Sequence, residues 1–67
     1  MKVFGERLRE LRLEKELSMG ELAKQIGTTQ QSISRWESGN TIPSGETIVM
    51  LSKFFSVTAG YLLGIEN

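Results

Sequence analysis

The chain has 67 residues, eight Lys/Arg against eight Glu, and no cysteine, histidine or aspartate. That length allows one domain, 1–67, with one small core, stable by roughly 0.05–0.15 kcal/mol per residue and with no disulfide or thiolate–metal framework to brace it. Most general bases, nucleophile activators and metal ligands are missing, so neither an enzyme nor a metal or cofactor site is expected. No apolar run approaches the roughly 20 residues of a membrane span, and the first segment is amphipathic rather than signal-like, which points to the cytoplasm. Net charge is zero, but residues 1–35 carry seven Lys/Arg and five Glu, and residues 36–67 one Lys and three Glu. One half is therefore +2 and the other −2, an asymmetry able to orient the domain on a polyanion; ordinary solvated surface gives the same pattern.

In chain order, Phe4, Leu8 and Leu11 fall at helical spacing among charged residues, predicting a first helix over 2–16. Ser18-Met-Gly-Glu21 fits a capping box, in which the hydroxyl takes an orphan N–H and the glutamate reaches back. A second helix of about eight residues follows, with Leu22, Ala23 and Ile26 as its apolar stripe and Gly27 at its end. Thr28 and Thr29 supply a cap for a third helix that stops near Gly39. Asn40-Thr-Ile-Pro43 is a loop. Ser44 caps a fourth helix to about Phe55, with Ile48, Leu51 and Phe55 inward and Phe54 partly so. Thr58 caps a short last helix with Tyr61, Leu62 and Leu63. No segment alternates with period two for long enough to be a strand, so the fold class is all-α, five short helices around one core.

The third helix has two faces. Ile33 and Trp36 are three apart and face the core; base stacking by Trp36 is the weaker reading, because that spacing is a core spacing. Gln30, Gln31, Ser34 and Arg35 fall on the other side. Gln pairs bidentately with adenine N6/N7 and Arg with guanine O6/N7, so this face is equipped to read base edges. Taken alone it is equally a polar, solvated helix side. Helices two and three, joined through Gly27, have the length and pattern of a helix-turn-helix, with small Ala23 at their contact and Ile33 as the apolar anchor.

Leu8-x-x-Leu11-Arg12, Leu17-Ser18-x-x-Glu21-Leu22-Ala23, Ile26-Gly27, Ile33-Ser34-Arg35-Trp36-Glu37-x-Gly39 and Pro43-Ser44 together resemble the Xre/Cro/C1-type DNA-binding domain. The run Gly27-Thr-Thr-Gln-Gln-Ser-Ile33 is similar to that of lambdoid phage repressors, and Val57-Thr-x-x-Tyr61-Leu62-Leu63-Gly64 to the family's final helix. The resemblance covers about Phe4 to Gly64 and implies a compact five-helix DNA-binding fold. By position it assigns base reading to Gln30, Gln31 and Arg35, with support from Ser18, Met19, Thr29, Ser32, Ser34, Asn40 and Thr41. It implies a buried ion pair between Arg12 and Glu37 joining the first and third helices, an architectural role, with a position for Arg12 near a phosphate as the alternative. It further implies a regulator, most simply a repressor, that binds double-stranded DNA as a homodimer through the helix at about 29–38.

Several positions depart from the family pattern. Met19 stands where phage repressors place a phosphate-binding Gln, so only backbone N–H groups and the helix dipole remain for that contact. Glu16 stands where Gly or Asn is usual, implying a left-handed residue with some strain. Asn40 and Thr41 replace cations. Cationic phosphate contacts are then few, from Arg9, Lys24 and Lys53, with a shallow salt dependence. Met50 and Gly45 replace a polar and a larger residue; Met50 reads as a tolerated exposed side chain or as part of a contact surface. Leu62 is expected in the core, and Tyr61 and Ile65 near a two-fold interface. The alternative function is an antitoxin-like or other protein-interaction module that binds DNA secondarily. Such a module calls for an added tail or an exposed apolar patch for the partner, and no such tail is read up to Asn67; a third reading is the amino-terminal piece of a longer repressor.

Overall fold

Every helix after the first begins at a hydroxyl, and every one ends at or just before a left-handed residue. The computed structural model describes residues 2–66. It forms α1 (Lys2–Glu14), α2 (Met19–Ile26), α3 (Gln30–Ser38), α4 (Gly45–Phe55) and α5 (Ala59–Leu63), with no strand among the described residues. Ser18 makes both halves of the capping box: its Oγ accepts from Glu21 N at 3.0 Å, and its N–H donates to Glu21 Oε1 at 2.8 Å. Thr29, Ser44 and Thr58 each accept from the third residue of their helix. Thr29 is the cap of α3, whereas Thr28 closes α2 by donating its N–H to Ala23 O.

The first helix stops two residues short of the predicted end. Glu16 sits at φ +55, and the N–H groups of Glu16 and Leu17 return to Leu13 O and Arg12 O. The left-handed turn implied by the family pattern is therefore made by a glutamate, at a cost of about 1 kcal/mol. Ser56 at φ +56 closes α4 in the same way, a strain that sequence reasoning did not anticipate.

Phe4, Leu8, Leu22, Ile33, Leu51 and Leu62 are fully buried, and Ala23, Ile26, Trp36, Ile48 and Phe55 complete the core. Each helix contributes at least one of these, so none of the five can bury its apolar face alone. On α1 the inward stripe is Phe4, Leu8 and Arg12, four apart, and not Phe4, Leu8 and Leu11. Leu11 is half-buried at the edge, and Arg12 is 7% exposed. Phe54 is half-buried, edge-on to Phe55 at 4.9 Å. Gly45 faces open space, and Met50 is 46% exposed.

The packing of α1 on α3 holds the helix-turn-helix in place, and it depends on Gly5. A Cβ there would lie 2.5 Å from Trp36 O and 2.6 Å from Glu37 O, far inside van der Waals contact. Only glycine lets α1 cross the last turn of α3 this closely. The sequence carries one signal for it, a lone glycine inside a helical pattern.

Candidate nucleic-acid interface

The predicted ion pair fixes α3 from behind. Arg12 Nε and Nη2 donate to Glu37 Oε2 and Oε1 at 2.6 and 2.9 Å, a bidentate fork, and Nη1 donates to Leu17 O at 2.8 Å. The side chains are only 8% and 4% exposed. The hydrogen bonding to the Glu37 carboxylate holds the guanidinium above its ordinary pKa, against the opposing effect of burial. Arg12 thus spans α1, α3 and the turn before α2, with its Nε, Nη1 and Nη2 each donating one hydrogen bond inside the protein.

With Ile33 and Trp36 turned into the core, the opposite face of α3 is fixed outward. Gln30, Gln31, Ser34 and Arg35 are all exposed, and with Met19 from α2 they line one open groove. None of these four α3 side chains makes a hydrogen bond or ion pair among the described residues, so the amides and the guanidinium keep their bonding capacity for a ligand. An added Cβ on Gly20 would stand 3.4 Å from Gln30 Oε1, so the Gln30 amide lies over the first turn of α2. Two helix N-termini and their side chains therefore meet at this groove.

The supporting residues divide. Ser18, Thr29 and Ser32 are not part of the groove lining. Ser18 is engaged in its capping box. Thr29 Oγ1 accepts from Ser32 N and donates to Ser32 Oγ at 3.0 Å, which leaves each hydroxyl reduced capacity for another partner. Asn40 and Thr41 are exposed in the loop after α3. Arg9, Lys24 and Lys53 are exposed as well.

Away from the groove, α5 is tied to α1 by a residue that sequence reasoning missed. The Arg7 guanidinium lies 4.3 Å from the centre of the Tyr61 ring, and Nη1 donates to Tyr61 O and to Glu66 O. Tyr61 is half-buried with one ring face covered, Leu62 is in the core as expected, and Ile65 is 78% exposed. Nothing in the spacing of Arg7 marks it out, because its partners lie more than fifty residues away.

Residues 8–62 match the family model described as helix-turn-helix. Over 64 residues the chain is 44% identical to the HTH-type transcriptional activator BcrR of Enterococcus faecalis, covering 96% of this chain and 31% of that protein. It is 36% identical over 61 residues to repressor protein C2 of Salmonella phage P22, covering 91% and 28%. It therefore spans about a third or less of either relative. The crystal structure of the P22 c2 repressor with a synthetic operator superimposes with a TM-score of 0.89 at 33% identity, covering 98% of this chain and 100% of that one.

Proposed function

Because this chain belongs to the helix-turn-helix family, we propose that it is a sequence-specific double-stranded DNA-binding regulator of transcription, with residues 1–67 as one DNA-binding unit. The observation that carries the reading is the outward face of α3. Gln30, Gln31, Ser34 and Arg35 line one groove with no side-chain hydrogen bond or ion pair among the described residues, on a helix whose back is locked by Ile33, Trp36 and Glu37. An α-helix fits the major groove, where Gln matches adenine and Arg matches guanine. In this reading Gln30, Gln31 and Arg35 contact base edges. Ser18, Met19, Thr29, Ser32, Ser34, Asn40 and Thr41 support the complex through backbone and hydroxyl contacts, largely to phosphates. The chain works in the cytoplasm, as a binding protein and not as an enzyme.

A single recognition helix spans about four or five base pairs, too few for selectivity in a genome, so the functional form is a homodimer on two half-sites about 34 Å apart. Tyr61 and Ile65 are the proposed two-fold contacts, supported by the exposure of Ile65 and by the anchoring of Tyr61 through Arg7. Occupying a promoter in this way represses it. The P22 relative named as a repressor and its operator complex support this reading. To test it, bound sites are selected from random DNA and then challenged with variants in gel shifts. Gln31→Ala and Arg35→Ala should each weaken binding by about 1–3 kcal/mol and relax preference at one position of each half-site. If both variants bind the selected site as tightly as the parent, the base-reading assignment is wrong.

A further inference from the structure

Met19 is the odd member of the groove. It is the first residue of α2, half-buried against the core, and its remaining surface lines the groove beside Gln30, Gln31, Ser34 and Arg35. Its four groove neighbours are hydrogen-bonding side chains, whereas a thioether donates nothing and accepts weakly. A phosphate gains nothing from such a side chain. Base edges in the major groove offer donors, acceptors and one apolar group, the C5-methyl of thymine. The Gln30 amide, resting over Gly20, occupies the turn immediately next to Met19, so a base pair engaged by that amide has its neighbour beside the thioether. Met is unbranched and polarizable, and it adapts to a small apolar partner.

We propose that the Met19 side chain, with Gln30 and Gln31 beside it, forms a subsite for the C5-methyl group of a thymine in each half-site. The inference rests on the DNA-binding reading above and adds a specificity-determining residue on α2, outside the recognition helix. Met19 then has two separate roles, its backbone N–H facing phosphate and its side chain reading a base methyl.

The test replaces each thymine of the selected half-site in turn by deoxyuridine, which removes only the methyl group, and measures affinity by gel shift. One position should show about fourfold weaker binding per half-site, the equivalent of about 0.8 kcal/mol for one buried methylene-sized group. At that position Met19→Ala and Met19→Gln should bind thymine and uracil alike, while Met19→Leu, which keeps an apolar side chain, should retain the preference. Circular dichroism confirms that each variant is folded before it is compared. A thymine-to-uracil ratio of one throughout the half-site overturns the subsite, as does a preference that survives in Met19→Ala; both leave DNA binding itself intact. Failure of the parent chain to select any site overturns the DNA-binding reading together with the subsite.

Discussion

Replacing Gly5 by alanine sets two effects of opposite sign against each other. In an exposed helix interior the change stabilises by about 0.8–1.0 kcal/mol, because alanine loses less backbone freedom on folding. At Gly5 the new methyl would stand 2.5 Å from Trp36 O, 2.6 Å from Glu37 O and 2.9 Å from Glu37 C. All three neighbours are backbone atoms, so no side chain can rotate aside, and α1 must move off α3 by about 0.5 Å or more. Overpacking of this kind costs about 1–3 kcal/mol. The displacement also stretches the 2.6 and 2.9 Å contacts between Arg12 and Glu37 at the same helix crossing. Net destabilisation of about 1–2 kcal/mol is expected, or roughly 4–16 °C in Tm for a domain of this size. Gly45→Ala is the internal control: nothing lies within 4 Å of its added Cβ, so it should be neutral or stabilise by up to about 1 kcal/mol. Urea unfolding followed by circular dichroism measures both. If Gly5→Ala is as stable as the parent, the close helix crossing does not hold in solution.

Glu37→Ala strands the Arg12 guanidinium, which is 7% exposed, and should cost about 3–5 kcal/mol. With total stability of about 3–10 kcal/mol, the thermal midpoint should fall by at least about 12 °C, while Arg12→Met combined with Glu37→Leu recovers much of the loss. Glu21 is held below the usual carboxylate range, first by the Ser18 N–H and then by the Ser18 hydroxyl. A depressed pKa means that the contribution is complete above the unfolded value and lost as pH falls through the folded one. The stability gap between the parent and Glu21→Ala, followed by thermal melts across pH, should be full at neutral pH and close in acid; a gap independent of pH contradicts the capping-box role. With only Arg9, Lys24 and Lys53 expected to meet phosphates, the slope of log affinity against log salt should be no steeper than about −6; a steeper slope means that further cations reach the phosphates.

The helices and their caps were legible in the sequence because their causes lie within a few residues of one another. Ser18 and Glu21 are three apart, Gly27 follows directly on Ile26, and Ile33 and Trp36 share a face at helical spacing, which left Gln30, Gln31 and Arg35 to water. The pairing of Arg12 with Glu37 was implied by family resemblance and not by local pattern, since 25 residues separate them. What tertiary structure alone decided concerns elements distant in the chain that meet in space. Gly5 looks like an ordinary weak point in a helix until the carbonyls of Trp36 and Glu37 are set against it. Arg7 is one cation among several until α5 brings Tyr61 and Glu66 to it. Met19 reads as a lost phosphate grip in the sequence, and it becomes an apolar wall of the groove only when α2 and α3 converge. Local spacing fixes which way a side chain points on its own helix, but what it meets there depends on how the other helices pack.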